Sequence, residues 1–295
     1  MRITFDVRQG DRQFPNYANI RIYNLADKTA QAIRKEFKSV TLEAGYRGAI
    51  GALFKGEILQ VRIGRENPVD KYCHILATSA DRAHNHAVVN KSLAAGHTFK
   101  DQVEACLEPM KAFGVTVGHI DDLGSKKMPR GRVLTGMARD ILRQVGFATG
   151  TSWCIVNGTF QMVKNTGTLP GDTVVLNSTT GLIGMPEQTI QGIVARCLLN
   201  TQIVPGCKVK IDQASIQQAE FDPSFTGAKT NEQYDATGAK IAADGIYKVM
   251  VADHNGDTRG APWYTDMICV NASQGITPAL AARGIGTDDP SDQGG

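Results

Sequence analysis

The 295-residue chain contains no apolar run near the roughly 18 residues that a membrane-crossing helix needs. Its start, Met1-Arg2-Ile3-Thr4-Phe5-Asp6-Val7-Arg8, alternates apolar with polar and already carries charge, so it lacks the apolar core of a signal peptide. The expectation is a chain folded in the cytoplasm without direct membrane insertion. Net charge is only +3, too near balance to argue for nucleic acid or membrane from bulk charge. The six cysteines, Cys73, Cys106, Cys154, Cys197, Cys207 and Cys269, lie far apart and mostly within apolar runs, which favours buried thiols over disulfides.

Motifs that carry chemistry are also scarce. There is no Cys-x-x-Cys, His-Glu-x-x-His, Gly-x-Ser-x-Gly or phosphate-cradling glycine loop. His84-x-His86, with His74 and His97 in the same region, has no carboxylate or thiol cluster to complete a metal site, and reads as surface histidines near a strand end. Asp253-His254-Asn255-Gly256-Asp257 resembles the start of a calcium loop, but Tyr264 stands where the bidentate Glu belongs. A β-turn at Asn255-Gly256 is the simpler reading. Asp121 and Asp122 are adjacent, so on a strand they diverge, and they read as a polar turn. Lys126, Lys127, Arg130 and Arg132 form a basic cluster without interleaved aromatics, a weak sign of nucleic-acid binding.

What the chain does have is patterning. Ile3, Phe5 and Val7, then Ile20 and Ile22, then Val40 and Leu42 recur with period two, as in strands with one buried face. A short helix is expected over about 27–37, capped by Asn24 or Asp27, with Ala30, Ile33 and Phe37 on one face. Further strands are expected over 51–63 and 70–79. After Asn90 the period changes. Thr98-x-x-Asp101 resembles a capping box, followed by Phe99, Val103, Cys106, Leu107 and Met110 at helical spacing up to Gly114. Leu134, Met137, Ala138, Ile141, Leu142 and Val145 predict a second amphipathic helix stopping at Gly146, and Asn157-Gly158 predicts a tight hairpin turn. Strand signals return at 173–176, 192–199, 208–212, 245–251 and 267–270. The polar segment 213–244 reads as a long surface loop, and 284–295 as a disordered tail.

The predicted organisation is therefore a first β segment (1–88), an inserted α+β domain (89–170), a second β segment (171–272) that completes the first, and a flexible tail (273–295). Lys and Arg exceed Asp and Glu by 14 to 9 in the first segment and 10 to 6 in the insert, but fall short by 8 to 14 from residue 171 onward. Such opposed regional charges suit complementary faces between copies or neighbours.

Several stretches resemble the baseplate hub proteins of tailed bacteriophages. They are Asn19-Ile20-Arg21-Ile22-Tyr23-Asn24-Leu25, Thr41-Leu42-Glu43-Ala44-Gly45-Tyr46 and Leu53-Phe54-Lys55-Gly56-Glu57-Ile58, then Thr180-Gly181-Leu182-Ile183-Gly184-Met185-Pro186, Cys197-Leu198-Leu199-Asn200 and Pro205-Gly206. Near the end come Asp244-Gly245-Ile246-Tyr247-Lys248-Val249, His254-Asn255-Gly256-Asp257-Thr258-Arg259-Gly260 and Trp263-Tyr264. Their order matters as much as their content. The resemblance implies tail-tube-like β-barrel domains, a homotrimer with pseudo-sixfold symmetry, and a virion protein of the tail baseplate that is assembled in the host cytoplasm. Its implied partners are the tail-tube protein or an adaptor, the central spike, the tape-measure protein, the baseplate wedge proteins and, in passing, genomic DNA. It implies no catalytic residues, cofactor or metal. Arg259, Trp263 and Tyr264 are the expected subunit-interface residues, because an Arg beside two aromatics has the composition of a binding hot spot; an ordinary core or barrel-rim place for Trp263 is the competing expectation. A tail-associated peptidoglycan hydrolase, with 90–170 as its catalytic part, is the alternative function.

Overall fold

The computed structural model describes residues 1–11, 13–189, 191–212, 216–218, 244–273, 275–281 and 285. The loop expected over 213–244 and the tail expected from 284 lie almost wholly outside the described residues.

The first β unit comprises β1 (Ile3–Gly10), β2 (Tyr17–Tyr23), α1 (Asp27–Lys35), β3 (Ser39–Tyr46), β4 (Ala49–Arg65) and β5 (Lys71–Thr78). The period-two residues Phe5, Val7, Ile20, Cys73, Ile75 and Ala77 point into one core with Leu53 and Phe54. Helix α1 is not capped as the sequence suggested. Its N-cap is Ala26, without a side-chain cap; Asn24 instead donates to Asp70 and accepts from the Lys71 N–H, and Asp27 pairs with Lys71. Phe37, expected on the buried face, lies beyond the helix and is exposed.

The insert follows as α2 (Asp81–His86), β6 (Val88–Leu93), α3 (Phe99–Lys111), β7 (Thr116–Ile120), β8 (Arg132–Met137), α4 (Ala138–Thr149), β9 (Thr151–Val156) and β10 (Thr159–Lys164). Its own core joins Val103, Cys106, Leu107 and Met110 of α3 to Ile141, Leu142 and Val145 of α4 and to Trp153, Phe160 and Met162, and it begins at Ala80. Thr98 and Asp101 form the full reciprocal capping box. Asn157 and Gly158 both adopt positive φ, 52° and 81°, as the two-residue hairpin turn requires. The second helix starts four residues later than its spacing suggested. Residues 132–137, with β-branched Val133 and Thr135, form a strand paired with β6, and Leu134 meets the core from that strand. The helix also runs past Gly146 and ends where Gly150 turns left-handed at φ 62°.

The chain returns as β11 (Val174–Leu176), β12 (Leu182–Gln188), β13 (Ile193–Leu198), β14 (Lys208–Ile211), β15 (Gln217–Gln218), β16 (Ile246–Asp257), β17 (Trp263–Asn271) and α5 (Pro278–Ala281). A second β core gathers Leu176, Ile193, Val209, Ile211, Tyr247 and Val249 with Cys197 and Cys269. Within the segment expected as a tail from 273, Leu280 and Ile285 are buried with Met250, Val251 and Val270.

The two β units share one 12-stranded sheet in the order β15-β12-β13-β17-β16-β1-β2-β5-β4-β3, with β14 and β11 branching from β16. The seam is the antiparallel pair β1–β16, continuous from Thr4↔Asp257 to Gly10↔Val251. This is the mainly β architecture with an inserted α+β domain that the sequence predicted.

The expected turn at Asn255-Gly256 is not a turn. Both residues are in β16, opposite Tyr264 and Trp263, and the chain reverses over Thr258 to Pro262. Gly256 is needed for close approach instead: a Cβ there would lie 2.2 Å from Cζ of Phe5.

Candidate assembly surfaces and the interdomain junction

Consecutive strand residues face opposite sides of a sheet, which separates Trp263 from Tyr264. Trp263 turns inward and meets the Phe5 ring edge-on at 5.5 Å between centroids, against the first β core. Tyr264 faces outward beneath the Arg196 guanidinium, 4.1 Å from its ring centroid. Arg196 also grips Asp266 with two hydrogen bonds, Nε to Oδ1 at 2.6 Å and Nη2 to Oδ2 at 3.1 Å. In the same row as Arg196 and Asp266, Asp253 pairs with Arg8 across the seam at 3.3 Å. Arg259 sits in the turn after β16, borders a separate cleft with Met1, Tyr23 and Asp70, and donates its N–H to Asp257. Asp257 is further held by Arg2, whose hydrogen bonds keep its carboxyl below the ordinary range. The three expected interface residues therefore do not form one patch.

One edge of the sheet carries an unpaired stretch. Glu57 is partnered by Ser39 on one side and Thr78 on the other, so β4 passes from β3 to β5 along its length. The Ile58 N–H to Lys38 carbonyl bond is the last on the β3 side. Beyond it, Leu59 to Arg65 have no strand partner on that edge among the described residues. Leu59, Arg62 and Arg65 are exposed there.

The three parts of the chain meet at a buried polar junction that the sequence reading missed. Lys248, on β16, is 0% exposed and places Nζ 3.1 Å from Oδ2 of Asp11, just past β1. Ser152 of β9 donates to the same oxygen at 2.7 Å, and Lys248 also donates to the Lys164 carbonyl at 3.3 Å. Nearby, Asn16 and Ser79 both donate to the Ile155 carbonyl, and Gln161 donates to the Pro205 carbonyl at 2.9 Å. First unit, insert and second unit are thus tied by hydrogen bonds that water does not reach. The signal was a lone Lys inside Tyr247-Lys248-Val249-Met250-Val251.

The other chemical candidates have structural places. All six cysteines are free. Burial pushes Cys106 and Cys197 up to about 12 and Cys207 to about 11, far from the thiolate form a nucleophile needs. His84 and His86 lie on α2 rather than at a strand end, and His84 is buried with its ionisation lowered mainly by that burial. No group of three or more metal-ligating side chains occurs among the described residues. Asp121 accepts from the Lys164 N–H at 2.7 Å and contacts His119 at 2.8 Å, while Asp122 accepts from the Gly124 N–H; their bonds close loops and do not converge on a shared space. Lys126, Lys127 and Arg130 stand exposed on the strandless segment between β7 and β8.

No protein-family model and no curated protein sequence matches this chain. Solved structures do, and they define its class of fold, that of phage-type tail proteins. A tail protein from Neisseria meningitidis MC58 superposes with a TM-score of 0.55 at 9% identity, over 90% of this chain and 91% of its own. The 43 kDa tail protein of prophage MuSo2 from Shewanella oneidensis superposes with a TM-score of 0.51 at 9% identity, over 93% and 95%. A component of the Escherichia coli type VI secretion system, described as structurally similar to the bacteriophage T4 tail proteins gp27 and gp5, gives 0.55 at 11% identity over 95% and 76%. At such identity the likeness is one of fold.

Proposed function

We propose that this chain is a structural hub of a phage-type tail: a homotrimer at the distal end of the tail tube that joins it to the central spike and leaves a passage for genomic DNA. The observation that carries this reading is the seam β1–β16, which fuses two β units of one chain into a single sheet. Three such chains supply six β units, the number that matches a hexameric tube. The likeness to tail proteins over nine-tenths of the chain supports the same reading.

Assembly then proceeds by strand addition. The open edge of β4 from Leu59 to Arg65 takes a strand of the next copy, since unpaired N–H and C=O groups along an edge are a template for pairing. The basic first unit meets the acidic second unit of its neighbour, and Arg259 and Tyr264 lie at contacts between subunits or with the tube, spike, tape-measure or wedge proteins. The division into 1–88, 89–170, 171–272 and 273–295 gives the order of these parts along the chain.

Quantitative mass spectrometry of purified particles, with the tube protein as internal standard, tests the reading. About three copies per tail are expected for closed threefold assembly. Absence from the particle, or a copy number that follows the tube, refutes it.

A further inference from the structure

We propose that the inserted domain carries a docking surface for the phosphate backbone of duplex DNA, centred on the segment between β7 and β8. From Leu123 to Arg139 the sequence holds five cations, Lys126, Lys127, Arg130, Arg132 and Arg139, and no acidic residue. The segment has no helix or strand before Arg132, yet it is anchored: the Met128 N–H donates to the His97 carbonyl at 2.8 Å, and the Gly96 N–H donates to the Met128 carbonyl at 2.8 Å. This clamp sets Lys126, Lys127 and Arg130 beside the start of α3, where Lys100 is also exposed. Those four side chains make no hydrogen bond or ion pair with the described residues. Arg132 is held at the margin by Gln102 at 3.0 Å and Gln144 at 2.8 Å. Arg139, at the far end, is held by Asn85 at 2.8 Å and by Asp140 at 3.8 Å. The flanking acids are engaged: Asp121 accepts from the Lys164 N–H, Asp122 from the Gly124 N–H, and Asp101, next to Lys100, is in the capping box with Thr98.

The chemistry of the surface selects its partner. Protein interfaces are depleted in Lys and enriched in aromatic anchors, whereas three of the four unpaired cations here are Lys and no aromatic residue occurs from Asp121 to Gly146. Single-stranded nucleic acid is held by stacking on aromatic rings, which are missing here as well. Duplex phosphates ask only for accessible cations at intervals along an extended backbone, and their binding releases counterions. Four exposed, anchored cations, Lys100, Lys126, Lys127 and Arg130, beside acids that are already engaged, provide that. This inference does not depend on the hub reading.

The full-length protein is titrated against a labelled duplex DNA of mixed sequence between 50 and 200 mM NaCl. Four phosphate contacts predict a slope of log affinity on log salt near −3.6, so that affinity falls about a hundredfold over that range. Combining Lys126→Gln, Lys127→Gln and Arg130→Gln should flatten the slope to about −1. Combining Lys28→Gln, Arg34→Gln and Lys35→Gln on α1 removes the same charge elsewhere and should leave the slope unchanged. No binding at 50 mM NaCl, an equal loss in both triple variants, or an unaltered slope in the first overturns the proposal. So does displacement of the DNA by polyglutamate at equal charge, which would assign the surface to an acidic protein.

Discussion

Lys248 offers the most direct test of how the three parts of the chain are held. Its ammonium is wholly buried and, among the described residues, reaches the Asp11 carboxylate at 3.1 Å and the Lys164 carbonyl at 3.3 Å. Lys248→Met keeps the stem but removes the charge, leaving Asp11, 5% exposed, with the Ser152 hydroxyl and the Cys154 thiol as side-chain donors. Stranding one member of a buried pair costs about 3–5 kcal/mol. For a chain of this size, at about 2 °C per kcal/mol, the midpoint of thermal unfolding should drop by about 6–10 °C. Adding Asp11→Leu removes the stranded charge, while Ser152 retains its contact with the Val163 carbonyl at 3.5 Å. The double variant should therefore recover to within about 1–2 kcal/mol of the parent, because apolar replacement of a whole buried pair is close to neutral. Urea unfolding of all four proteins gives the coupling directly. A cost below about 1 kcal/mol for Lys248→Met, or a double variant as unstable as the sum of the singles, refutes the view that the pair is a mutually dependent unit.

Three further outcomes follow from individual residues. His254 is buried between β1 and β17 with Nδ1 2.9 Å from the Thr265 hydroxyl, and burial lowers its ionisation to about 4. The unfolded chain, titrating near 6.5, then binds the extra proton between those values, so stability should be full above pH 6.5 and fall by about 3 kcal/mol as pH drops to 4; unfolding followed across that range should flatten in His254→Gln, and an unchanged slope contradicts the assignment. Gly256→Ala should cost about 1–3 kcal/mol by driving a methyl into the Phe5 ring, with partial recovery when Phe5→Leu is added; equal stability of Gly256→Ala and parent would rule out the clash. A thiol reagent at pH 8 should react slowly with the folded protein, first at the half-buried Cys207, and with six thiols after unfolding; rapid early modification of Cys106 or Cys197 would contradict their burial.

Which features the sequence disclosed depends on the range of the interaction behind them. The capping box at Thr98 and the hairpin at Asn157-Gly158 are set by residues within three positions of each other, and both formed as the residues require. Helical spacing misled where a strand and a helix abut: Leu134 and Ile141 share a core, but Leu134 reaches it from β8 and Ile141 from α4. Asn255-Gly256 has turn composition, yet the glycine answers a ring 251 residues away in sequence. The candidate site was harder still. Lys248 and Asp11 are separated by the whole insert, and neither has a local pattern announcing the other. Period-two alternation tells which face of a strand is buried and is silent about which edge is filled. The same alternation in β1 and β4 therefore hides opposite situations, since β1 is paired on both sides, by β2 and β16, whereas Leu59 to Arg65 of β4 keep one side open among the described residues. On the proposed reading, in which assembly proceeds at strand edges, the functional information lies in long-range pairing, so a chain with a legible fold can still conceal the surfaces by which it would assemble.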